Sequence, residues 1–178
     1  MKSFSLILFA ALLPLFYAPA QVYLTRDEAL ELYFPGALSI GRKTVFLTDE
    51  QVRDIQNTAR ARVNSRILTY YVGEGPSGPT GYAFFETHVV RTMPETFMAV
   101  VNPDGTIRAV EILAFYEPED YLPPKRWLGL FRDRPLSNDL WLKRGVQNIV
   151  GATLSAQAIT EGVRRALAAF EHVVGREH

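Results

Sequence analysis

Four segments rich in Val, Ile, Tyr, Phe and Thr follow one another between residues 66 and 117, and they constrain the fold more than any other feature. Residues of these types favour extended backbone, and clusters of Gly and Pro separate the segments. The segments are residues 67–72, 81–91, 96–102 and 106–116. Pro103, Asp104 and Gly105 stand where a tight turn needs them, so the last two strands should pair antiparallel. The region predicts an antiparallel sheet of about four or more strands.

Helical patterns lie on both sides of the strand region. Thr25 with Glu28 and Thr48 with Gln51 have the spacing of a capping box, which predicts two N-terminal helices. From Leu154 onward, apolar residues recur at helical spacing and predict a long closing helix, with Arg164, Arg165 and Glu171 facing outward. Residues 125–131 predict a short helix and residues 136–142 another short element. The fold class is therefore α+β, with the sheet packed by the N-terminal helices and the C-terminal helix.

Composition limits the size and partners of the protein. Its 178 residues, 48% hydrophobic and 21% charged, suffice for one domain with a full hydrophobic core. The 19 Lys and Arg residues balance 19 Asp and Glu residues, so the chain lacks the basic excess of a nucleic-acid-binding protein. We expect no nucleic-acid partner.

The first twenty residues have the pattern of a secretory signal peptide. Lys2 precedes an apolar run over residues 4–17, and Ala18 and Ala20 fit the small-residue rule for cleavage. Residues 1–20 are thus predicted to be a signal peptide, and residues 21–178 a single domain in an extracytoplasmic protein, periplasmic or secreted. An uncleaved segment that tethers the protein to the membrane is the alternative.

The residue types also restrict redox and metal chemistry. The chain has no cysteine, which removes disulfides, iron–sulfur clusters and covalent haem attachment. His88, His172 and His178 are not spaced as metal ligands, so a metal site is not expected. Glu86 and His88 should share one face of a strand, but no nucleophile motif accompanies them and we assign no catalytic residue. Redox chemistry in this chain would need an organic cofactor.

Gly151, Ala152 and Thr153 directly precede the closing helix. Gly151 permits backbone angles that other residues avoid, and Thr153 places a hydroxyl beside the free N–H groups of a helix N-terminus. These N–H groups and the helix dipole favour an anion such as a phosphate. An ordinary junction before a helix has the same residue types, so the tripeptide alone does not decide between the two interpretations.

The segment from Val150 to Ser155, with Gly151, Ala152, Thr153 and Leu154 between them, resembles the flavin-attachment segment of the FMN-binding domain family. The domain is known from one subunit each of the sodium-pumping NADH:quinone reductase and the Rnf electron-transport complex, and from small exported flavoproteins, which this chain resembles most. Similarity extends over residues 25–170 and includes Glu117, Pro118, Trp127 and Phe131. The family implies FMN as cofactor, joined through its phosphate to Thr153 by a flavin transferase.

The resemblance also implies further site residues and a function. It suggests that the flavin ring lies against the sheet and the loop at Glu117 and Pro118, and that the protein carries electrons to or from a membrane or extracytoplasmic redox protein. Trp127 and Trp141 either shield the flavin or belong to the core. Gln147 and Val150 depart from the usual motif, which carries Asp and Ser or Thr there. The alternative is a flavin-free binding or structural module on the same fold.

Overall fold

The computed structural model of the protein describes residues 21–176, so the predicted signal peptide lies outside the described residues. The sheet strands are β1 (Gln21–Val22), β2 (Ser39–Phe46), β3 (Ile67–Gly75), β4 (Gly78–Val90), β5 (Met93–Val101) and β6 (Ile107–Phe115). The helices are α1 (Arg26–Tyr33), α2 (Asp49–Ala59), α3 (Lys125–Leu128) and α4 (Thr153–His172). Single 3₁₀ turns occupy Glu119–Tyr121, Gly129–Phe131 and Val174–Arg176. The predicted α+β class is confirmed.

All six strands form one antiparallel sheet in the order β1-β6-β5-β4-β3-β2. Side chains alternate between its faces, so the sheet contributes to two separate cores. On one face, α2 and α4 cover a large core that contains Phe84, Phe97 and Ile159. On the other face, α1 covers a smaller core around Leu30 and Met98. The sheet is therefore covered by a thick layer that contains α2 and α4 on one face and by a thin layer that contains α1 on the other.

The two predicted N-terminal helices begin where their caps indicate. Thr25 accepts a hydrogen bond from the Glu28 amide while the Glu28 carboxylate accepts one from the Thr25 amide, and Thr48 and Gln51 form the same reciprocal pair. Each box satisfies N–H groups that a helix start leaves free. Both capping predictions are confirmed.

Three details of the sequence-based prediction need correction. The sequence pattern does not predict strands β1 and β2, and they form the two edges of the sheet. Residues 136–142 form turns rather than a helix or strand, apart from one isolated bridge between Leu142 and Val146. Backbone in this loop satisfies its hydrogen bonds locally, as when Gly145 donates to the Asp139 carbonyl.

The third correction concerns Arg164, which the helical pattern places toward solvent but which is 2% exposed. Its guanidinium donates hydrogen bonds to carbonyl oxygens at the end of α2, Thr58 and Ala59, and to those of Ser137 and Leu140. A guanidinium offers five N–H donors, so it can serve several carbonyl groups at once. Arg164 therefore ties the loop before α4 to α2. Arg165 is half-buried rather than outward, and Glu171 is exposed as predicted.

Within residues 21–176, no helix is both long enough and apolar enough to cross a membrane.

Candidate functional site

Helix α4 begins at Thr153 without a side-chain cap. The residue before it, Ala152, is buried, and Gly151 has a φ of 87°, a conformation that suits glycine. The first helical bond runs from the Ala156 amide to the Ala152 carbonyl. The amides of residues 153–155 precede it and point out of the helix start, where they and the helix dipole favour an anion. The glycine turn predicted directly before the closing helix is present.

The Thr153 hydroxyl has a defined position. It accepts a hydrogen bond from Asn148 Nδ2 at 3.2 Å and donates to the Ile149 carbonyl at 3.3 Å. Further back, Trp127 Nε1 donates to the Gln147 carbonyl at 2.6 Å. The segment before α4 is thus held through its backbone and through Asn148, while Thr153 itself is exposed.

The two hydroxyl groups of the segment have opposite environments. Thr153 is exposed, whereas Ser155 is 1% exposed and faces the interior. Val150 is 97% exposed and Leu154 is about half exposed. Thr153 is therefore the hydroxyl in this segment that an external reagent can reach.

A cleft of about 220 Å³ opens beside Thr153. Trp141 and Lys143 line it on the loop side, and Gln157 and Glu161 line it on the α4 side. Lys143 brings a positive charge to the helix N-terminus, where both would attract a phosphate. Asn148 also lines the cleft, and its Oδ1 is buried without a hydrogen-bond partner among the described residues. Among these groups, the Lys143 ammonium and the amides at the helix start fit an FMN phosphate on Thr153, whereas Asn148 Oδ1 and the Glu161 carboxylate only accept hydrogen bonds and do not bind a phosphate.

The two tryptophans have different roles. Trp127 is buried and packs edge-on against Phe131 with 5.2 Å between ring centroids, so it belongs to the core. Trp141 is half-buried, lines the cleft beside Thr153 and lies under the Arg164 guanidinium at 5.0 Å. Of the pair, Trp141 is the one that the structure brings close to Thr153.

Glu117 lies where β6 has ended, but it is not an exposed loop acid. Its Oε1 accepts hydrogen bonds from the Thr92 and Met93 amides, at 3.1 and 3.0 Å, and the side chain is buried. The carboxylate therefore holds the turn between β4 and β5. Pro118 next to it is exposed. Flavin contact by Glu117 and Pro118 stays a prediction.

Glu95 is a buried acid near the start of α4 that the sequence analysis did not identify. It is 1% exposed, and neither of its carboxyl oxygens has a hydrogen bond of normal geometry among the described residues. Its pKa is raised to about 8, because burial and, to a smaller extent, the Glu117 charge raise it by more than the neighbouring Ser155 hydroxyl lowers it. Glu95 therefore lies close enough to Glu117 and to Ser155, in the first turn of α4, for both residues to affect its pKa. The alternating pattern of β5 indicates only that the Glu95 side chain faces inward, and it does not indicate a function for this acid.

The described part of the chain holds no group of three or more His, Asp and Glu side chains suited to a metal ion. A charge cluster does exist in which Glu86, His88 and Arg165 lie within hydrogen-bonding distance of one another. The cluster lies between β4 and the second half of α4, where Arg165 is twelve residues beyond Thr153. The predicted common face for Glu86 and His88 is confirmed.

Comparison with known families supports the flavin interpretation. None of the curated proteins matches the chain. Residues 93–168 match the FMN-binding domain, from the start of β5 to the last turns of α4, and this range contains Glu95, Glu117, Trp127 and the whole attachment segment. Residues 93–168 are therefore an FMN-binding domain, and this domain indicates FMN as the cofactor.

Proposed function

We propose that the protein is an exported electron carrier whose FMN is joined through a phosphoester to Thr153. The observation that carries this proposal is the exposed Thr153 hydroxyl at the uncapped start of α4, inside a segment that belongs to an FMN-binding domain. Bound flavin takes up and releases electrons, and no catalytic residue is required of the chain for that role.

The surroundings of Thr153 support its role as the attachment residue. Asn148 orients the hydroxyl, and the amides at the start of α4 and the Lys143 ammonium group are placed to balance the charge of a phosphate. Attachment forms a bond between Thr153 Oγ1 and the phosphorus of an activated FMN donor, displaces the donor's leaving group and releases the hydroxyl proton. We assign this transfer to a separate flavin transferase.

A tether is advantageous for an exported flavoprotein. FMN outside the cytoplasm is dilute, so a reversibly bound flavin would dissociate and be lost. A covalent bond keeps its effective concentration at the site high. Val150 and Leu154, both exposed beside Thr153, leave this end of the molecule open to the transferase and to a membrane or extracytoplasmic redox protein.

The test is expression of the chain with its signal segment in a host that makes a flavin transferase. We expect a fluorescent band on a denaturing gel and a polypeptide mass increased by one FMN unit. Thr153→Ala should abolish both signals because it removes the attacking oxygen.

Ser155→Ala is the matched control, since Ser155 lies two residues further along but is buried. It should keep the fluorescent band. An unmodified mass for the wild-type protein in the same host would refute the covalent bond. Titration with free FMN would then separate reversible flavin binding from the alternative function, a flavin-free module on the same fold.

A further inference from the structure

The sheet opens between β3 and β4. Their pairing runs from the turn to Tyr70 and Phe84, and it ends there. Beyond that point, residues 67–69 remain paired with β2, and residues 85–88 remain paired with β5. A strand inside a sheet has hydrogen-bonding groups along both edges. The facing edges of residues 68–69 and 85–87 therefore carry N–H and C=O groups beyond the end of the β3–β4 ladder, whereas the Ile67 N–H and C=O groups bond to the Ser65 hydroxyl.

A cleft of about 240 Å³ occupies this opening. Leu68 and Glu86 line it from the two separated strands, and Ile55, Ala166 and Ala169 form an apolar floor. Drug-sized ligands occupy pockets of roughly 300–1,000 Å³, so this cleft suits a smaller molecule of about ten non-hydrogen atoms. Because the cleft separates two strand edges, we expect a flat occupant.

The charged groups at one wall of the cleft neutralise one another. Arg165 Nη2 lies 2.9 Å from Glu86 Oε2 and 2.6 Å from His88 Nε2. A guanidinium only donates, so Nε2 of His88 accepts from Arg165. Burial alone would oppose the charge of Glu86, but the neighbouring His88 and the charge and hydrogen bonds of Arg165 outweigh burial and lower the pKa of Glu86 below its ordinary value. The carboxylate and the guanidinium thus compensate each other.

These features define the chemistry of a ligand. An ionised ligand would break the balance of the Glu86–Arg165 pair in a mostly buried place, which is costly. A neutral ligand avoids that cost, and the strand edges beyond the end of the β3–β4 ladder offer it both donors and acceptors. An amide has one group of each kind, and an aromatic ring fits the apolar floor.

We propose that the cleft between β3 and β4 is a binding site for a small neutral aromatic amide. Leu68, Glu86 and His88 precede the residues that match the FMN-binding domain, and Arg165 lies twelve residues beyond Thr153 on α4. The site is separate from the flavin tether, and its occupancy does not depend on flavin attachment.

Benzamide is the probe, and benzoate is its comparator of the same ring and nearly the same size. In a titration of the ¹⁵N-labelled protein followed by NMR, benzamide should shift the amide signals of residues 67–69 and 85–88 with a Kd of about 1 mM. Benzoate should bind roughly tenfold more weakly because its charge is unmatched. Absence of saturable shifts with benzamide up to about 20 mM would overturn the proposal.

Glu86→Gln tests the charge argument with little change in shape. It leaves Arg165 uncompensated, so benzoate should bind the variant about tenfold more tightly than it binds the wild type. If the Glu86–Arg165 pair had only a structural role, Glu86→Gln would not raise the affinity for benzoate. An unchanged benzoate affinity would therefore count against the site.

Ala166→Leu supplies a second variant that leaves the charges in place. The larger side chain fills the cleft floor, so the benzamide shifts should disappear while the NMR spectrum still shows a folded protein. Persistence of the same shifts in Ala166→Leu would place benzamide elsewhere and refute the proposal.

Discussion

Glu95 illustrates at the scale of one residue how the fold sets the charge of a group. Its carboxyl lies between the sheet and α4 with 1% of its surface exposed. Moving an ionised carboxylate from water to such a place costs several kcal/mol unless strong partners replace the water. The interaction with the neighbouring Ser155 hydroxyl compensates only part of this cost. The proton therefore stays on Glu95 at pH values where an exposed glutamate has lost it.

We expect this proton to make stability depend on pH. The Glu95 pKa is raised from 4.5 to about 8 in the folded protein. Between these values the unfolded chain releases the proton and the folded chain keeps it. The free energy of unfolding should therefore fall as pH rises, by at most about 1.4 kcal/mol per pH unit, with no further fall above pH 8.

Glu95→Gln isolates this contribution, because glutamine has nearly the same shape and no proton to lose. Chemical unfolding of both proteins between pH 5 and 8 gives the difference in stability, from which the other titrating groups cancel. The free energy of unfolding of the variant, relative to that of the wild type, should increase as pH rises. Parallel stability curves for the two proteins would show that Glu95 is not the group responsible.

Arg164 gives a second prediction at this scale. Arg164→Met keeps the apolar stem but removes the donors to four carbonyl groups, those of Thr58, Ala59, Ser137 and Leu140. Buried acceptors left without donors should lower the free energy of unfolding by roughly 2–4 kcal/mol, measured by urea denaturation. Arg53→Met, on the exposed face of α2, should change it by less than about 0.5 kcal/mol. A similar loss in both variants would refute the specific role of Arg164.

At the scale of elements, local signals predict the helices well and the sheet edges poorly. The capping boxes at Thr25 and Thr48 act within four residues, so their sequence is sufficient. Strand β2 is an edge strand whose side chains are mostly exposed or half-buried, and its Gly41, Arg42 and Lys43 weaken any alternating apolar pattern. It is a strand because β3 pairs with all eight of its residues. Such pairing depends on distant residues.

The same distinction applies to the candidate site. The turn at Thr153 is predictable because glycine, a small residue and a hydroxyl directly precede a helix. The cleft beside it depends on Trp141 and Lys143, which come from a loop without regular structure. The helical pattern points Arg164 outward because it does not include the carbonyl groups that surround this side chain. Long-range contacts of this kind have no local sequence signal.

Gln147, one of the two residues that depart from the family motif, permits a prediction about flavin attachment. The Gln147 side chain is exposed while its carbonyl is held by Trp127, so Gln147→Asp should change the surface without disturbing the backbone. If the flavin transferase recognises an acid there, the flavinylated fraction at limiting transferase should rise, as read by mass spectrometry. Asn138→Asp, at another exposed loop position, should have no effect. An equal yield for Gln147→Asp and the wild type would show that the acid is not required.

On the scale of the whole molecule, the two layers that cover the sheet differ in their helices and in the candidate site residues that they contain. The thin layer has the eight-residue α1, and the thick layer has α2, α4 and the loop before α4. The Thr153 turn, Glu95 and the Glu86–Arg165 cluster all belong to the thick layer, along one helix. Helix α4 thus links Thr153, the proposed flavin-attachment residue, at its start with the opening between β3 and β4 near its other end.

The far edge of the sheet provides the last prediction, which concerns export. Gln21 and Val22 form β1 and pair with Phe115 and Ala114 of β6. Cleavage of the predicted signal peptide after Ala20 would leave Gln21 as the first residue and keep this strand intact. We expect intact-mass analysis of exported protein to give a chain that starts at Gln21, allowing for cyclisation of an N-terminal glutamine. A mass that retains Lys2 would instead indicate a tethered protein, and a start beyond Val22 would remove β1 and contradict the predicted cleavage site.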